Sequence, residues 1–258
     1  HPSSSASDML RSLRPLITLW VVSAALPAVG ASGFAGEFLA VGAGARGLAL
    51  GNAYVATARD ATAGYWNPAG LSGAVREVHL MHAERYAGLV DKDFVAATFD
   101  SPYTDGAAIS LLRLGVEDIA FTTLPNPAAP LGPDNRPLVS STETSADYAL
   151  YLSGGRQVSD RLALGLSAKV IYRSVADFSA YGGGLDVGIR YRLSEDFVLA
   201  GTLRDVTTTP IVWDGGTDRI QPSVLFGVGY TRSVGPGVAS LLLSSRGGGH
   251  ASDQSNAP

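Results

Sequence analysis

The stretch Arg161–Arg173 reads RLALGLSAKVIYR and shows the clearest two-residue alternation in the chain. One of its faces carries Leu162, Leu164, Leu166, Ala168, Val170 and Tyr172. The opposite face carries Ala163, Gly165, Ser167, Lys169, Ile171 and Arg173. Because successive side chains of a β-strand point to opposite sides, this stretch is predicted to be a strand with one apolar face and one face of small, polar or charged residues.

Comparable alternation recurs beyond residue 74. The segment at 184–192 sets Leu185, Val187, Ile189 and Tyr191 against Gly184, Asp186, Gly188, Arg190 and Arg192. Further segments lie at 147–152, 197–204 and 224–231, with less regular ones at 76–86, 93–101 and 107–114. No stretch of similar length keeps a helical period. The pattern predicts an all-β protein with about nine antiparallel strands.

Alternation alone also fits a soluble sandwich, in which the apolar face forms the core. The connections favour a membrane barrel, because short turns and longer links alternate as on the two rims of an outer-membrane barrel. The short turns are Ser101–Gly106, Ser159-Asp160, Ser194–Asp196 and Gly235–Gly237. The longer links are Thr122–Thr142, Val175–Ala180 and Thr207–Ile220.

The charged residues of these segments fit a water-filled interior. The lumen-facing candidates are Lys169, Arg173, Asp186, Arg190 and Arg192, with Arg204 on a later strand. A hydrated lumen would solvate these side chains. A sandwich would place them on its solvent face, and this alternative stays open.

Composition argues against several function classes. The net charge of -4 gives no basic excess that would draw the chain onto nucleic acid, so no nucleic-acid partner is expected. The 258 residues include no Cys, which removes disulfides, Cys-based zinc sites and thiol nucleophiles. His79 and His82 form an HxxH pair, but residues three apart on a strand face opposite sides, so no metal site is predicted. There is no GxSxG nucleophile motif.

Residues 9–31 have the parts of a secretory signal peptide. Met9 is followed by Arg11 and Arg14, by an apolar run at 16–26, and by small residues up to Ala31. The apolar run is shorter than the roughly 18 residues that a spanning helix needs, so a cleaved leader is favoured over a membrane anchor. Cleavage is expected near Ala31 with export of the rest, and residues 1–8 are interpreted as an upstream extension.

A Gly- and Ala-rich segment follows the leader and reads GAGARGLALGNAYVATARDATAGYWNPAGLSG from Gly42 to Gly73. Its first six residues spell GxGxxG, and Asp60 follows at about the distance seen in dinucleotide-binding folds. Such a fold needs a crossover helix and further βα units, which the downstream strands do not supply. A dinucleotide-binding enzyme is therefore the remote alternative, and a compact plug is favoured. The glycines expected to permit its tight turns and close packing are Gly42, Gly44, Gly47 and Gly51.

Three blocks of sequence carry a resemblance to a known family. They read FLAVGAGARGLALGNAYVATARDATAGYWNPAGLSG at 38–73, REVHLMHAERYAGLVDKDFVA at 76–96 and TLRDVTTTPIVWDGGTDRIQPSVLFGVGY at 202–230. Together these blocks resemble the PorV/PorQ family of outer-membrane barrels, which is related in fold to the FadL transporters. The resemblance implies a FadL-like antiparallel transmembrane β-barrel with an N-terminal hatch of short helices and Gly-rich turns in its lumen.

The resemblance also implies a function. It indicates passage or binding of hydrophobic small molecules or, alternatively, a part in type IX protein secretion in which loops hold cargo or partner proteins. The expected protein lies in the bacterial outer membrane, is not an enzyme and holds no cofactor. Its expected partners are outer-membrane lipid and either a hydrophobic solute or a secreted cargo protein.

The end of the hatch holds the gating candidates. Asn67-Pro68-Ala69 resembles the NPA signature of FadL hatches. Asp60 is expected to cap a short helix at Ala61–Tyr65, and Pro68 is expected to fix the turn after Asn67. The hatch or gating candidates are Asp60, Trp66, Asn67, Pro68 and Ala69.

The chain departs from the family pattern at its end. About nine strands cannot make the even-stranded barrel of bacteria, and residues 245–258 are polar without a terminal aromatic residue. The chain is therefore interpreted as truncated or frame-shifted, with a non-native or disordered tail. The predicted organisation is an extension and signal peptide at 1–31, a hatch at 32–74, barrel strands at 75–244 and a tail at 245–258.

Overall fold

The computed structural model describes residues 34–234 and 237–248. The predicted signal peptide, the first two residues of the predicted hatch, part of the Gly235–Gly237 turn and residues 249–258 lie outside this range. Within it, no helix has the length and apolar character needed to cross a membrane.

Short helical turns make up the N-terminal segment, which we define as residues 34–74. It contains two 3₁₀ helices, η1 (Phe34–Ala40) and η2 (Pro68–Gly73), and two short α-helices, α1 (Ala45–Ala49) and α2 (Ala63–Trp66). Gly51 follows α1, and Pro68 follows α2 after Asn67. Both residue types disfavour the continuation of a helix.

The rest of the described chain is one antiparallel sheet. Its strands are β1 (Val78–Arg85), β2 (Val90–Phe99), β3 (Gly106–Thr123), β4 (Leu138–Gln157), β5 (Leu162–Val175), β6 (Phe178–Arg192), β7 (Phe197–Arg204), β8 (Thr209–Trp213), β9 (Gly216–Ile220), β10 (Ser223–Val234) and β11 (Gly237–Gly248). The main order is β1-β2-β3-β4-β5-β6-β7-β10-β11, while β8 pairs with β6 and β9. The prediction of an all-β antiparallel fold is confirmed. Within the described residues, β1 and β11 are the edges of the main order, and β9 is an edge beside β8.

The count of about nine strands is wrong, since the described residues form eleven. The difference lies in Thr207–Ile220, which was predicted as a loop and forms the hairpin of β8 and β9. Asp205 and Thr208 both have φ 55°, so the chain bulges after β7 and then resumes beside β6 as β8. In this hairpin, β8 pairs with β6 at Ala180–Gly182 on one side and with β9 on the other.

Three other predicted boundaries change. Val175–Ala180 is not a long link, because β5 and β6 are joined by Ala176-Asp177 alone, with Ala176 at φ 49°. The predicted loop Thr122–Thr142 shortens to residues 124–137, since β3 and β4 extend into it. β11 runs to Gly248 through Ser245 and Arg246, which pair with β10 by backbone contacts that need no apolar side chain. The predicted boundary at 244 therefore falls inside a strand.

The sheet has an inverted distribution of polarity. On β5, Ser167 and Lys169 are buried, whereas Leu166 and Val170 are 52% and 60% exposed. The polar side of the sheet is covered by the N-terminal segment, which contacts strands from β2 to β10. We call the covered side the inner face and the uncovered apolar side the outer face.

Side chains on the outer face line up in rows across the strands. One row of direct partners runs His82, Asp93, Arg113, Tyr148, Tyr172 and Tyr181. The ring centroids of Tyr148 and Tyr172 are 6.1 Å apart, and those of Tyr172 and Tyr181 are 5.0 Å apart. The next two outer rows contain Leu80, Val95, Leu111, Leu150 and Val170, then Val78, Ala97, Ile109, Leu152, Ala168 and Leu185. On the outer face, the row of charged and tyrosine side chains is thus followed directly by rows of aliphatic side chains.

Candidate functional site

An aromatic cluster holds the N-terminal segment together. Tyr65 and Trp66 meet edge to face at 5.0 Å, and Tyr65 reaches Phe94 of β2 at 6.2 Å. The Trp66 indole donates to the Ala43 carbonyl at 2.8 Å, while the Tyr65 hydroxyl donates to the Leu39 carbonyl at 2.6 Å. Helix α2 therefore fixes the backbone of residues 39–43 through the polar ends of two buried rings.

The glycines of the GxGxxG motif serve packing within this segment. Gly42, Gly44 and Gly51 have φ of 84°, 74° and 61°, which are left-handed values that glycine adopts without strain. A Cβ on Gly47 would lie 2.6 Å from a Trp66 ring carbon. The motif begins after η1, and its last three residues form the start of the five-residue α1. It is therefore outside the strand, turn and long helix that dinucleotide binding requires.

Asp60 organises the turn that leads into α2. Its carboxylate accepts hydrogen bonds from the Tyr54 hydroxyl at 2.6 Å and from the Thr62 backbone N–H at 3.0 Å. The helix begins at Ala63, two residues later than predicted, because the Asp60–Thr62 contact shapes a turn first. Burial and the hydrogen bond to Asp60 raise the pKa of the Tyr54 phenol well above its usual value.

This shifted phenol predicts a pH-dependent stability. The unfolded chain releases the Tyr54 proton above its ordinary pKa near 10, whereas the folded chain retains it. The contribution of Tyr54 is therefore complete below about pH 10 and is lost as pH rises further, with a slope of at most about 1.4 kcal/mol per pH unit. We expect the stability advantage of the native chain over Tyr54→Phe, measured by denaturant unfolding, to shrink between about pH 9 and about pH 11. An advantage that stays constant would contradict this.

Asn67 joins the N-terminal segment to the sheet. Its side chain is fully buried, and its amide donates to the Val55 carbonyl at 3.2 Å and to the Ile189 carbonyl of β6 at 3.1 Å. Its carbonyl oxygen accepts from the Ala69 N–H at 3.1 Å, which caps η2 with Pro68 at the first position. Both N–H donors and the carbonyl oxygen of the amide are thus used in fixing this turn to residue 55 and to β6.

A row of glycines receives η2 on the inner face. Gly106, Gly155, Gly165 and Gly188 are direct partners across β3, β4, β5 and β6. A Cβ on Gly165 would collide with the backbone of Pro68 and Ala69, and one on Gly188 would collide with the Asn67 side chain. The absence of side chains lets the η2 backbone lie directly on the sheet.

Donors on the inner face satisfy the carbonyls at the end of α2. Ser167 donates to the Gly64 carbonyl at 2.8 Å, and Thr202 donates to the Trp66 carbonyl at 3.0 Å. Arg204 donates to the Tyr65 carbonyl at 2.9 Å, with its guanidinium carbon 4.6 Å from the Tyr65 ring centre. A four-residue helix has no other way to satisfy these carbonyls away from water. Side-chain donors of the sheet thus bind individual carbonyl groups of α2.

Of the charged residues predicted to face the lumen, Lys169, Arg173 and Asp186 form ion pairs, whereas Arg190 and Arg192 have no ion pair within the described residues. Lys169 lies 2.7 Å from both Asp186 and Asp205, and Arg173 lies 2.7 Å from Asp147. Arg190 and Arg192 follow on β6 toward the rim.

The site residues predicted from the sequence do not include several inner-face residues that contact the N-terminal segment or its charged neighbours, although the alternation placed Ser167 on the polar face. They are Lys92, Asp147, Ser153, Ser167, Thr202 and Asp205. Lys92 donates to the carbonyls of Val41 and Gly42. The alternating parity of β2 could have indicated Lys92, whereas the bulge that places Asp205 leaves no periodic signal.

The described residues contain no group of three or more side chains suited to hold a metal ion. His79 is half-buried on the inner side of β1, and His82 is exposed beside Asp93 at 2.7 Å, so the two do not meet. No protein-family model matches the chain, and no curated protein matches it. The described site is an interface at which a short segment docks on a sheet through hydrogen bonds and a buried apolar cluster.

Proposed function

We propose that this protein is an outer-membrane β-barrel component whose N-terminal segment is a lumenal hatch, and that it passes or binds hydrophobic small molecules. The observation that carries the proposal is the outer face of the sheet, where large aliphatic side chains are uncovered, while charged and hydroxyl side chains are covered on the inner face together with Phe94, Leu112 and Ile171. In water such an outer face would be an unusually large exposed apolar patch. Against lipid it is the expected exterior of a barrel.

The height of the apolar band supports this proposal. Tyr181 and Tyr191 lie ten residues apart on β6 and both point outward. Ten residues of strand extend about 33 Å, or about 25 Å along the membrane normal at a tilt of about 40°. Near Tyr191, the ring centroids of Phe197 and Tyr230 are 4.6 Å apart. Aromatic side chains thus flank a band of the height expected for an outer-membrane barrel.

The polar docking of the N-terminal segment supports a role in passage. Its contacts with the wall combine hydrogen bonds from Asn67, Ser167, Thr202 and Arg204 with a buried apolar cluster in which Tyr65 meets Phe94 and Tyr151. Each hydrogen bond contributes only about 0.5–1.5 kcal/mol net, because water can replace the protein partner. The hydrogen-bonded part of the contact can therefore be exchanged for water when the segment is displaced into a water-filled lumen.

An engineered disulfide tests whether the segment must move. A Cβ on Gly229 of β10 would lie 3.5 Å from the Ala56 Cβ, within the range of disulfides, and the chain has no Cys to compete. We expect Ala56→Cys/Gly229→Cys to be recovered in outer membranes with heat-modifiable migration. Liposomes that contain the oxidised form should take up a hydrophobic dye at least tenfold more slowly than liposomes that contain the reduced form.

The controls are the two single-Cys variants, whose uptake should not respond to reductant. Equal uptake by the oxidised and reduced double variant would contradict passage by displacement. Recovery of the native chain in the soluble fraction, without heat-modifiable migration, would contradict the membrane location.

A second candidate function is the secretion role, in which the loop at 124–137 holds cargo or a partner protein. The Asn135 side chain organises this loop by donating to the carbonyls of Asn126, Ala129 and Pro130. Leu131 is 71% exposed at its tip. An ordered loop that presents an apolar side chain is suited to protein contact. Replacement of the loop by a short Gly-Ser link should then stop cargo export without changing dye uptake.

A further inference from the structure

Three arginines near one rim of the inner face have no carboxylate partner among the described residues. They are Arg59 of the N-terminal segment and Arg190 and Arg192 of β6. Arg59 makes only a 3.4 Å contact to the Gly73 carbonyl, and Arg192 donates to the Asp160 carbonyl. The Nε of Arg190 is buried and has no hydrogen-bond partner in the described structure.

The fold brings these side chains together. Arg190 lies in the row beside the glycine row, with Ala163 and Ala200 as its direct partners. Arg192 is the next inner-face residue toward the rim, and Arg59 reaches over Gly73 at the end of η2. Gly188, two residues before Arg190, lies against Asn67 and Pro68 at the start of η2, so β6 and Arg59 contact the two ends of the same short helix. Neither direct partner of Arg190, Ala163 or Ala200, has a side chain that can neutralise its charge or accept a hydrogen bond from it.

Lys169, Arg173, Arg204 and Lys92 also lie on the inner face, and each has its own hydrogen-bond partners there. Lys169 and Arg173 pair with carboxylates, Arg204 donates to the Tyr65 carbonyl, and Lys92 donates to two carbonyls. Arg190 is the costly member of the three, because its Nε is buried without a hydrogen-bond partner, whereas Arg59 and Arg192 are exposed. A bound anion would give this Nε an acceptor and would offset the positive charge of all three side chains.

We propose that Arg59, Arg190 and Arg192 form a binding site for a phosphate-type oxyanion, either free phosphate or a phosphate monoester head group. Guanidinium groups match phosphate oxygens through paired N–H donors, and three positive charges favour a doubly charged anion over a monocarboxylate. A binding site for a charged oxyanion is chemically different from a path for hydrophobic molecules. The proposal of this site therefore does not depend on the proposed passage function.

Calorimetric titration of the purified full-length protein tests the site. The probes are inorganic phosphate and short-chain phosphatidic acid below its micelle concentration, each at constant ionic strength. We expect saturable binding that falls at least tenfold in Arg190→Gln. Arg76→Gln, which removes an exposed arginine paired with Asp100, should bind as the native chain does. Binding of phosphatidic acid alone would identify a lipid head group, and binding of both would identify the phosphate itself.

A stability measurement separates a ligand site from a structural role. Without phosphate, Arg190→Gln should unfold at the same or a higher denaturant concentration than the native chain, because it loses the buried Nε that has no partner. With phosphate, only the native chain should gain stability. The proposal is overturned if neither probe binds, if Arg190→Gln binds equally well, or if sodium chloride gives the same stabilisation.

Discussion

Gly165→Ala will detach the N-terminal segment from the sheet. The added Cβ would overlap the Pro68 and Ala69 backbone, and neither strand β5 nor η2 has a flexible side chain there that can move aside. Overpacking of this kind costs about 1–3 kcal/mol. This cost is comparable to the net contribution of several of the hydrogen bonds that dock the segment. We expect rapid trypsin cleavage after Arg59 in the variant and slow cleavage in the native chain.

Gly201→Ala is the matched control. Gly201 lies on β7 with its nearest side-chain neighbour at 3.5 Å, so a methyl group fits there by ordinary contact. Its cleavage should match that of the native chain. If Gly165→Ala is cleaved no faster than Gly201→Ala, η2 does not depend on the glycine row.

Leu152→Arg will strongly destabilise the protein if the outer face contacts lipid. Leu152 is 58% exposed and lies in the second apolar row beyond Tyr148, near the middle of the band. An arginine near the centre of a bilayer costs about 2–4 kcal/mol on a barrel exterior. The same change on a water-facing sheet costs within about 0.5 kcal/mol. Denaturant unfolding of protein refolded into liposomes measures the difference.

Val139→Arg provides the comparison on the same strand. Val139 is 62% exposed, similar to Leu152, but it lies in the part of β4 beyond the aromatic row. We expect little loss of stability there. Equal small effects at both sites would contradict a lipid-facing outer surface.

Much of the fold could be predicted from sequence because two-residue alternation is a local signal. β5 and β6 were visible since each of their residues alternates between faces without a break. The β5–β6 turn was missed because Ala176 adopts φ 49° without the Gly or Asn that usually marks such a position. The β8–β9 hairpin was missed because a bulge at Asp205–Thr208 interrupts the period.

The candidate site was less predictable because its contacts are distant in sequence. Asn67 and Pro68 could be singled out as a turn, but nothing local indicates that the Asn67 amide meets the Ile189 carbonyl. Gly106, Gly155, Gly165 and Gly188 gain their common role only when the register aligns them. Register is a property of the assembled sheet and not of any one strand.

The contact from Arg204 to the Tyr65 carbonyl joins residues 139 positions apart, and it has a consequence for the order of folding. A segment made early in the chain meets this partner only after seven strands have followed it, and its partners Gly227 and Gly229 on β10 come later still. Structures dominated by such distant contacts fold slowly, because long loops must close before the contacts reward them. The N-terminal segment therefore lacks its full set of wall partners until β10 has been made.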